Sequence, residues 1–345
     1  MRPWLCNYYI TDHCNAQCGF CDIWRSAEMI GPAPTEVVLR RLRELPRLGV
    51  KLVDLTGGEP LLHPDLPLLL RTAKAAGLRT KVSTNGLLYP ARARELRGLV
   101  DWLTFSLDAP EADLHDRMRG VRCHRRVMES LRLARALGES ACIIFTVTND
   151  NVHFLPEMAK LARQEDAFLY LNPVFSYFGN GGLSRERTQQ LLSYFWRPYL
   201  FVNRALVRFA ANGGNRRSQP TCRALRAVFA ISPSDDLYLP CYHAARLRVP
   251  IGESLAHALA SDRVRAATYC AGRLPACEGC TVWCYLGTSL QRSVSWYAVE
   301  HFLSCAKYLS ERGLRHVFLR RCSPRSLREL PPVAPPSAGR ARAEP

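Results

Sequence analysis

Residues 4–21 read WLCNYYITDHCNAQCGFC, and this stretch decides the fold. Trp4 to Thr11 is apolar and aromatic, the composition of a buried strand. It runs straight into Cys14, Cys18 and Cys21, spaced by three residues and then two. A structural zinc site or a ferredoxin-type cluster takes four protein ligands. Three thiolates on one tight loop leave a metal position open, which catalysis at a metal requires.

Working outward, strand-like and helix-like segments alternate to residue 173. The β-rich runs are 4–11, 50–56, 79–83, 102–107, 142–148 and 168–171. Helical patterns cover 36–48, with Thr35 as a candidate cap, and 65–76, 90–99, 124–137 and 153–165. A repeated β-then-α order needs crossovers that return the chain to the same end, hence a parallel sheet. Six units suit a partial or full (β/α) barrel better than a flat sheet. The chemistry-bearing residues fall where the strands end: the three cysteines, Gly57-Gly58-Glu59, Ser83-Thr84-Asn85-Gly86, and Ser106 with Asp108. In barrels and doubly wound sheets that end carries the site. After Pro173 the regularity stops. Residues 189–211 read as one aromatic-rich helix, 222–284 as a poorly periodic segment with recurring cysteines, and 295–312 as an amphipathic helix. Residues 331–345 are Pro/Ala/Arg-rich and read as disordered. His13, His63 and His115 read as solvated loop histidines.

The chain has 345 residues, 48% of them hydrophobic and 22% charged, which excludes a disordered or low-complexity protein. No apolar run is long enough to cross a membrane. The first residues lack a signal-peptide pattern, so the expected location is cytoplasmic. The net charge of +17 is spread out, without a run of five basic residues, and carries little weight for nucleic acid. Fourteen cysteines without a secretory signal read as metal or redox chemistry rather than as a disulfide framework.

Cys14, Cys18 and Cys21, with Phe20 before the last cysteine, resemble the signature of the radical S-adenosylmethionine (radical SAM) enzymes. The resemblance continues in order. Thr56-Gly57-Gly58-Glu59-Pro60 is similar to the family's motif for the methionine amino group. Ser83 and Asn85 match the segment after the third strand, and Ser106, Asp108 and Arg119 the segment that contacts ribose and carboxylate. Thr146, Val147 and Asn151 are loose matches to the adenine motif. The resemblance covers about residues 4–175 and implies a partial (β/α)6 TIM-like barrel. It also implies a [4Fe–4S] cluster whose open iron chelates S-adenosylmethionine, and reductive cleavage to a 5′-deoxyadenosyl radical that abstracts hydrogen from an unactivated carbon. On that reading Cys14, Cys18 and Cys21 are the catalytic metal ligands. Phe20, Gly57, Gly58, Glu59, Ser83, Asn85, Ser106, Asp108 and Arg119 bind the cofactor.

The later cysteines resemble the SPASM and Twitch extensions that hold auxiliary [4Fe–4S] clusters. Residues 231–241 read as a hairpin with an Asp-rich turn that presents Cys241. Cys277, Cys280 and Cys284 follow. The spacing departs from the full SPASM pattern: three residues stand between Cys280 and Cys284 instead of five, and one later cysteine is missing. One auxiliary cluster is therefore expected, with Cys222, Cys241, Cys277 and Cys280 as ligands. Cys284 could replace one of them, and Cys270 or Cys305 could complete a second cluster. A zinc site is the alternative. Cys6, Cys123, Cys142 and Cys322 read as incidental. The implied division is a barrel core over 1–175, a connecting segment over 176–221, a small C-terminal iron–sulfur domain over 222–312 and a basic tail over 313–345.

The expected reaction is a net oxidation, a dehydrogenation or hydroxylation, with the auxiliary cluster accepting an electron. The aromatics Phe168, Tyr170, Phe175, Tyr177 and Phe178 read either as core or as the wall of a site for a small or apolar substrate, such as a lipid or tetrapyrrole. Only thirteen residues precede Cys14, so a preceding peptide-recognition domain is not expected. A peptide-modifying maturase, an RNA-modifying enzyme and a non-enzymatic zinc or cluster scaffold are the alternatives. The expected partners are a one-electron reductant such as flavodoxin or ferredoxin, no nucleic acid, and a membrane surface against Trp296, Tyr297, Phe302, Tyr308 and Phe318.

Overall fold

The computed structural model describes residues 2–25, 30–175, 182–244 and 247–319, with side chains to residue 313. Tyr177, Phe178, Cys322, the Pro-rich tail and the side chain of Phe318 lie outside the described residues. The first part alternates as β1 (Leu5–Thr11), α1 (Thr35–Glu44), β2 (Leu52–Gly57), α2 (Leu66–Ala75), β3 (Arg79–Thr84), α3 (Tyr89–Leu96), β4 (Trp102–Ser106), α4 (Ala112–Arg119), α5 (His124–Ala136), β5 (Ala141–Val147), α6 (Leu155–Gln164) and β6 (Phe168–Pro173). Each strand from β1 to β6 pairs in parallel with the next. The result is the expected mixed α/β fold with a parallel sheet, consistent with a partial barrel.

The second part is α7 (Arg185–Gln190), β7 (Leu200–Phe201), α8 (Arg204–Ala211), β8 (Val228–Ile231), β9 (Asp236–Leu239), β10 (Leu247–Pro250), α9 (Leu255–Ala260), α10 (Asp262–Cys270), α11 (Trp283–Gln291) and α12 (Trp296–Leu319). Four of these strands extend the same sheet. β7 adds to β6 and β8 adds to β1, both in parallel, while β9 and β10 follow antiparallel. The sheet therefore has ten strands, with β10 and β7 at its edges.

Three local expectations are corrected. Residues 189–211 are not one helix: Pro198 interrupts the run, Leu200 and Phe201 join the sheet, and Asn203 caps α8 by accepting from the Leu206 N–H at 3.3 Å. Thr35 does not cap α1. Pro34 stands at the cap position, and the Thr35 hydroxyl donates to Asp65 at 2.6 Å. The last helix is longer than expected, Trp296–Leu319.

Alternation along the strands separates two faces. Cys6, Tyr8, Ile10, Val53, Leu55, Val82, Phe105, Ile143 and Phe145 point to the helices and are buried in one large core. The alternate positions form the inner face. Its lower layer, at the strand N-termini, is apolar and plugged by the C-terminal helices. Tyr308 of α12 packs on Cys142, Phe168 and Phe201, and Tyr285 of α11 packs with Leu5, Leu52 and Val228. Phe168 is thus core. Above that plug the inner face turns polar, with Asn7, Asp54, Lys81, Ser83, Thr104 and Ser106. Arg41, fully buried on α1, ties α1 to the β8–β9 turn. Its guanidinium binds Asp235 through two hydrogen bonds of 2.8 and 2.6 Å and Glu44 at 2.8 Å.

Candidate active site

The first cysteine loop begins where β1 ends and is fastened on two sides by backbone. The Gln17 and Gly19 N–H groups donate to the carbonyls of Arg119 and Met118, at 2.9 and 3.2 Å. The Gly58 and Glu59 N–H groups donate to the carbonyls of Thr11 and His13, both at 2.8 Å. These approaches explain the glycines. A Cβ on Gly57, where φ is +140°, would lie 2.0 Å from the Thr11 carbonyl oxygen, and one on Gly58 would lie 2.2 Å from that of His13. The Cys21 N–H closes a turn onto the Cys18 carbonyl at 3.2 Å. Burial, with Glu59 and the neighbouring thiols, pushes the Cys14 thiol up to about 12. Burial raises the Cys21 thiol as well, and soft thiols that resist holding charge on their own, as Cys14 and Cys21 do, suit a multivalent iron centre, which compensates thiolate charge directly.

Glu59 is 1% exposed. Oε1 accepts from the Leu61 N–H at 3.0 Å and the Thr84 hydroxyl at 2.8 Å, and Oε2 from the Asn85 N–H at 2.8 Å. Burial outweighs these bonds and raises its pKa to about 7. A cationic ammonium arriving beside it would restore the charged form. Asn85 also donates to Asn15 Oδ1 at 2.6 Å, which links the third strand's end to the cysteine loop. Ser83 and Ser106 are half-buried on the inner face, and the Thr104 hydroxyl donates to Ser83 at 2.8 Å.

Arg119 sits beneath the loop. One Nη lies 2.6 Å from Asp108 Oδ2, another is 3.6 Å from Cys18 Sγ, and the guanidinium lies 5.2 Å from the centre of the Phe20 ring. Asp108 takes a different part from the ribose contact that the resemblance implied. It is fully buried, Oδ1 accepts from the Thr146 N–H at 2.9 Å, and Oδ2 holds Arg119, so it orients a cation instead of offering a free oxygen. Asn151 is structural too: Nδ2 bridges the Asp108 and Thr146 carbonyls at 2.9 and 2.8 Å. His63 and His115 are not solvated; both are fully buried. His115 Nδ1 accepts from the Asp108 N–H at 3.1 Å, Nε2 lies 3.3 Å from Cys123 Sγ, and burial drives its pKa down to about 2. His115, Asp116 and Cys123 are close enough to suggest a metal site. Asp116 Oδ1 is instead taken by the N–H groups of Cys123 and His124, at 2.9 and 2.8 Å, at the start of α5.

The second group gathers beside the Tyr285 plug of the inner face, where Cys222, Cys241, Cys280 and Cys284 pack against Leu5, Leu52 and Val228. Cys222, Cys241, Cys277 and Cys280 line one small cavity with Ala224, Pro240, Val282 and Tyr285. Cys284 is not among the lining residues; it lies near Cys241 and near the Asp54–Lys81 pair. Cys270 and Cys305 do not line the cavity, and Cys305 Sγ is 3.2 Å from His301 Nε2. Sequence reasoning missed the residue that assembles this group, the fully buried Asn215. Its Oδ1 accepts from the Thr221 and Cys222 N–H groups at 3.0 and 3.3 Å. Its Nδ2 donates to the Gly272 and Cys277 carbonyls at 2.8 and 3.0 Å, and its own N–H donates to the Cys280 carbonyl at 3.0 Å. The signal available was Gly213-Gly214 just before it. A Cβ on Gly214 would meet the Gly279 oxygen at 2.5 Å.

Comparison with known proteins agrees with this geometry. The model for the Radical SAM superfamily matches residues 8–162. The AdoMet-dependent heme synthase of Oleidesulfovibrio alaskensis is 29% identical over 205 residues, 56% of this chain and 52% of that protein. The PqqA peptide cyclase of Gluconobacter oxydans is 31% identical over 185 residues, 51% of each. The chain spans about half the length of the curated relatives it matches. Among solved structures, Streptococcus suis SuiB bound to the precursor peptide SuiA superposes with a TM-score of 0.64 at 19% identity, over 77% of this chain and 66% of that one. Native anSMEcpe with bound AdoMet superposes with a TM-score of 0.63 at 15% identity, over 93% of this chain and 100% of that one. At these identities the structures speak for the fold alone. Residues 8–162 of this chain are a radical SAM domain, of the superfamily that works with a [4Fe–4S] cluster and S-adenosylmethionine.

Proposed function

We propose that this chain is a radical SAM enzyme that cleaves S-adenosylmethionine reductively and oxidises a polar substrate held against the inner face of the sheet. The observation that carries the reading is the convergence of the Cys14–Cys21 loop, the Glu59 carboxylate and Arg119 at the ends of β1, β2 and α4. Cys14, Cys18 and Cys21 would hold a [4Fe–4S] cluster, which supplies the electron that breaks the sulfonium bond to give methionine and the 5′-deoxyadenosyl radical. Glu59 accepts from the ammonium of S-adenosylmethionine, and the glycine turn lets that group approach the backbone. Arg119, held by Asp108, donates toward the Cys18 sulfur and sets the charge around the loop. The chemistry supplied there would be removal of one hydrogen atom from the substrate, followed by loss of one electron and one proton to complete the oxidation. Cys222, Cys241, Cys277 and Cys280 are proposed to hold the one auxiliary cluster that receives the electron. A flavodoxin or ferredoxin is the proposed reductant.

The inner face favours a peptide segment or a charged metabolite over a lipid. Lys81 Nζ lies 2.5 Å from Asp54 Oδ2 on that face, beside Ser83. An apolar ligand would strip water from this ion pair without replacing its hydrogen bonds, at a cost of several kcal/mol. The PqqA peptide cyclase, a relative whose name states a peptide substrate, is consistent with this reading. The test is anaerobic reconstitution followed by dithionite reduction. About eight irons per chain and release of 5′-deoxyadenosine support the reading. Zinc in place of iron, with no nucleoside released, overturns it.

A further inference from the structure

We propose that α12 docks this protein on an anionic phospholipid surface. One side of α12 is packed: Glu300, His301, Ser304 and Tyr308 are buried. The other side carries Trp296, Val299, Phe302, Leu303 and Leu309, all exposed, with Trp296 at 66%, Phe302 at 64% and Leu309 at 60%. Their spacing of three and four residues puts them on one stripe. The remaining positions of that stripe, 306, 310 and 313, are Ala, Ser and Gly, so it holds no charge over about four turns. The Lys307 ammonium donates to the Arg197 carbonyl at 3.1 Å, which fastens the segment carrying Trp196, 77% exposed, to the helix. Two exposed tryptophans beside aliphatic side chains match the chemistry of a bilayer interface, where the rings sit at headgroup level.

Charge selects the occupant. The two acids of the packed helix are already matched: Glu300 with Arg204 and Arg208, and Glu311 with Lys307. Exposed Arg197 borders Trp196. From residue 312 to residue 328 the sequence holds six arginines and no acid. A second copy would bring the same net charge of +17, whereas an anionic headgroup layer complements it. No helix among the described residues is long and apolar enough to cross a membrane, so the contact is peripheral.

The experiment is co-sedimentation of the reconstituted full chain with vesicles of phosphatidylcholine alone, or with roughly a third phosphatidylglycerol. Binding to the anionic vesicles, weakened by salt, is expected. Phe302→Asp and Leu303→Asp should each lower the partition about tenfold or more. Both positions are exposed, and unchanged S-adenosylmethionine cleavage in the variants shows that the fold is kept. No binding to anionic vesicles, or binding unaffected by both substitutions, overturns the proposal. So does a dimer seen by light scattering that the same substitutions abolish without any vesicle binding, because a second copy then covers the face.

Discussion

Cys14, Cys18 and Cys21 leave a single loop, whereas Cys222, Cys241, Cys277 and Cys280 arrive from three separated segments. The first group is held by backbone: four main-chain hydrogen bonds sew the loop to the Gly58–Glu59 turn and to the end of α4. The second relies on one side chain: Asn215 ties the Cys222 segment to the Cys277–Cys280 segment, while Cys241 comes in at the end of β9. The surroundings differ as well. Around the first loop stand Glu59, Asp108 and Arg119, charged groups held in place by hydrogen bonds. Around the second stand Ala224, Pro240, Val282 and Tyr285. A site that must bind a charged small molecule keeps polar partners at its mouth, while one that only passes an electron gains from a dry, apolar wall. The contrast supports catalysis at the first site and electron transfer at the second.

The comparison breaks most directly with the Cys14/Cys18/Cys21→Ala triple variant. Its 5′-deoxyadenosine output should fall to background while about four irons are lost and about four remain. Loss of all iron would mean that the two groups load as one unit. Arg41→Ala comes next. It leaves the Asp235 carboxylate without its buried partner, at a cost of about 3 kcal/mol, read by denaturant unfolding. Because Arg41 bolts α1 to the β8–β9 turn, early exposure of Cys241 to a thiol reagent should precede global unfolding. Asn215→Ala is a narrower probe. It should weaken iron retention at the second group tenfold or more and leave nucleoside release from S-adenosylmethionine intact. An equal loss at both sites would remove the distinction drawn here.

The smallest effect is with pH. His115 has a folded pKa near 2 against 6.5 for a free histidine, because burial excludes the imidazolium. Below pH 6.5 the unfolded chain takes up a proton that the folded chain refuses, so stability falls as the pH drops. The slope is at most about 1.4 kcal/mol per pH unit. Above 6.5 the residue is neutral in both states and contributes nothing. His115→Asn can still accept from the Asp108 N–H and should flatten this acid limb; an unchanged limb would assign it to other groups. Glu59 acts in the opposite sense. Its folded pKa of about 7 favours the protonated, folded form at low pH, so its burial cost grows as pH rises to about 7 and is constant beyond.

The six parallel strands and the residues at their ends were legible because both signals are local. Strand patterning is read over five to seven residues, and the first cysteines share a loop. What was not legible depended on distant partners. The shortness of β7 hid it inside an aromatic run, and only its pairing with β6 makes it a strand. Asp108 and His115 read as a cofactor contact and a solvated histidine because sequence cannot report that Arg119, Thr146 and Cys123 surround them. The aromatic stripe read over the last helix divides in the structure: Tyr297 packs edge-on to Phe209 at 5.6 Å and Tyr308 plugs the inner face, while Trp296 and Phe302 are exposed.

By itself the sequence determined the parallel order of the sheet, the three-thiol loop and the glycine turn beside it. Spacing and side-chain period fix these within a few residues. The tertiary structure alone decided which four later cysteines share a cavity, that Asn215 ties Cys222 to Cys277 and Cys280, that Arg119 lies beneath Cys18 held by Asp108, and that the inner face is polar above an aromatic plug. Each of these is a meeting of groups far apart along the chain. Burial, not spacing, sets what such groups can bind and which charge they carry.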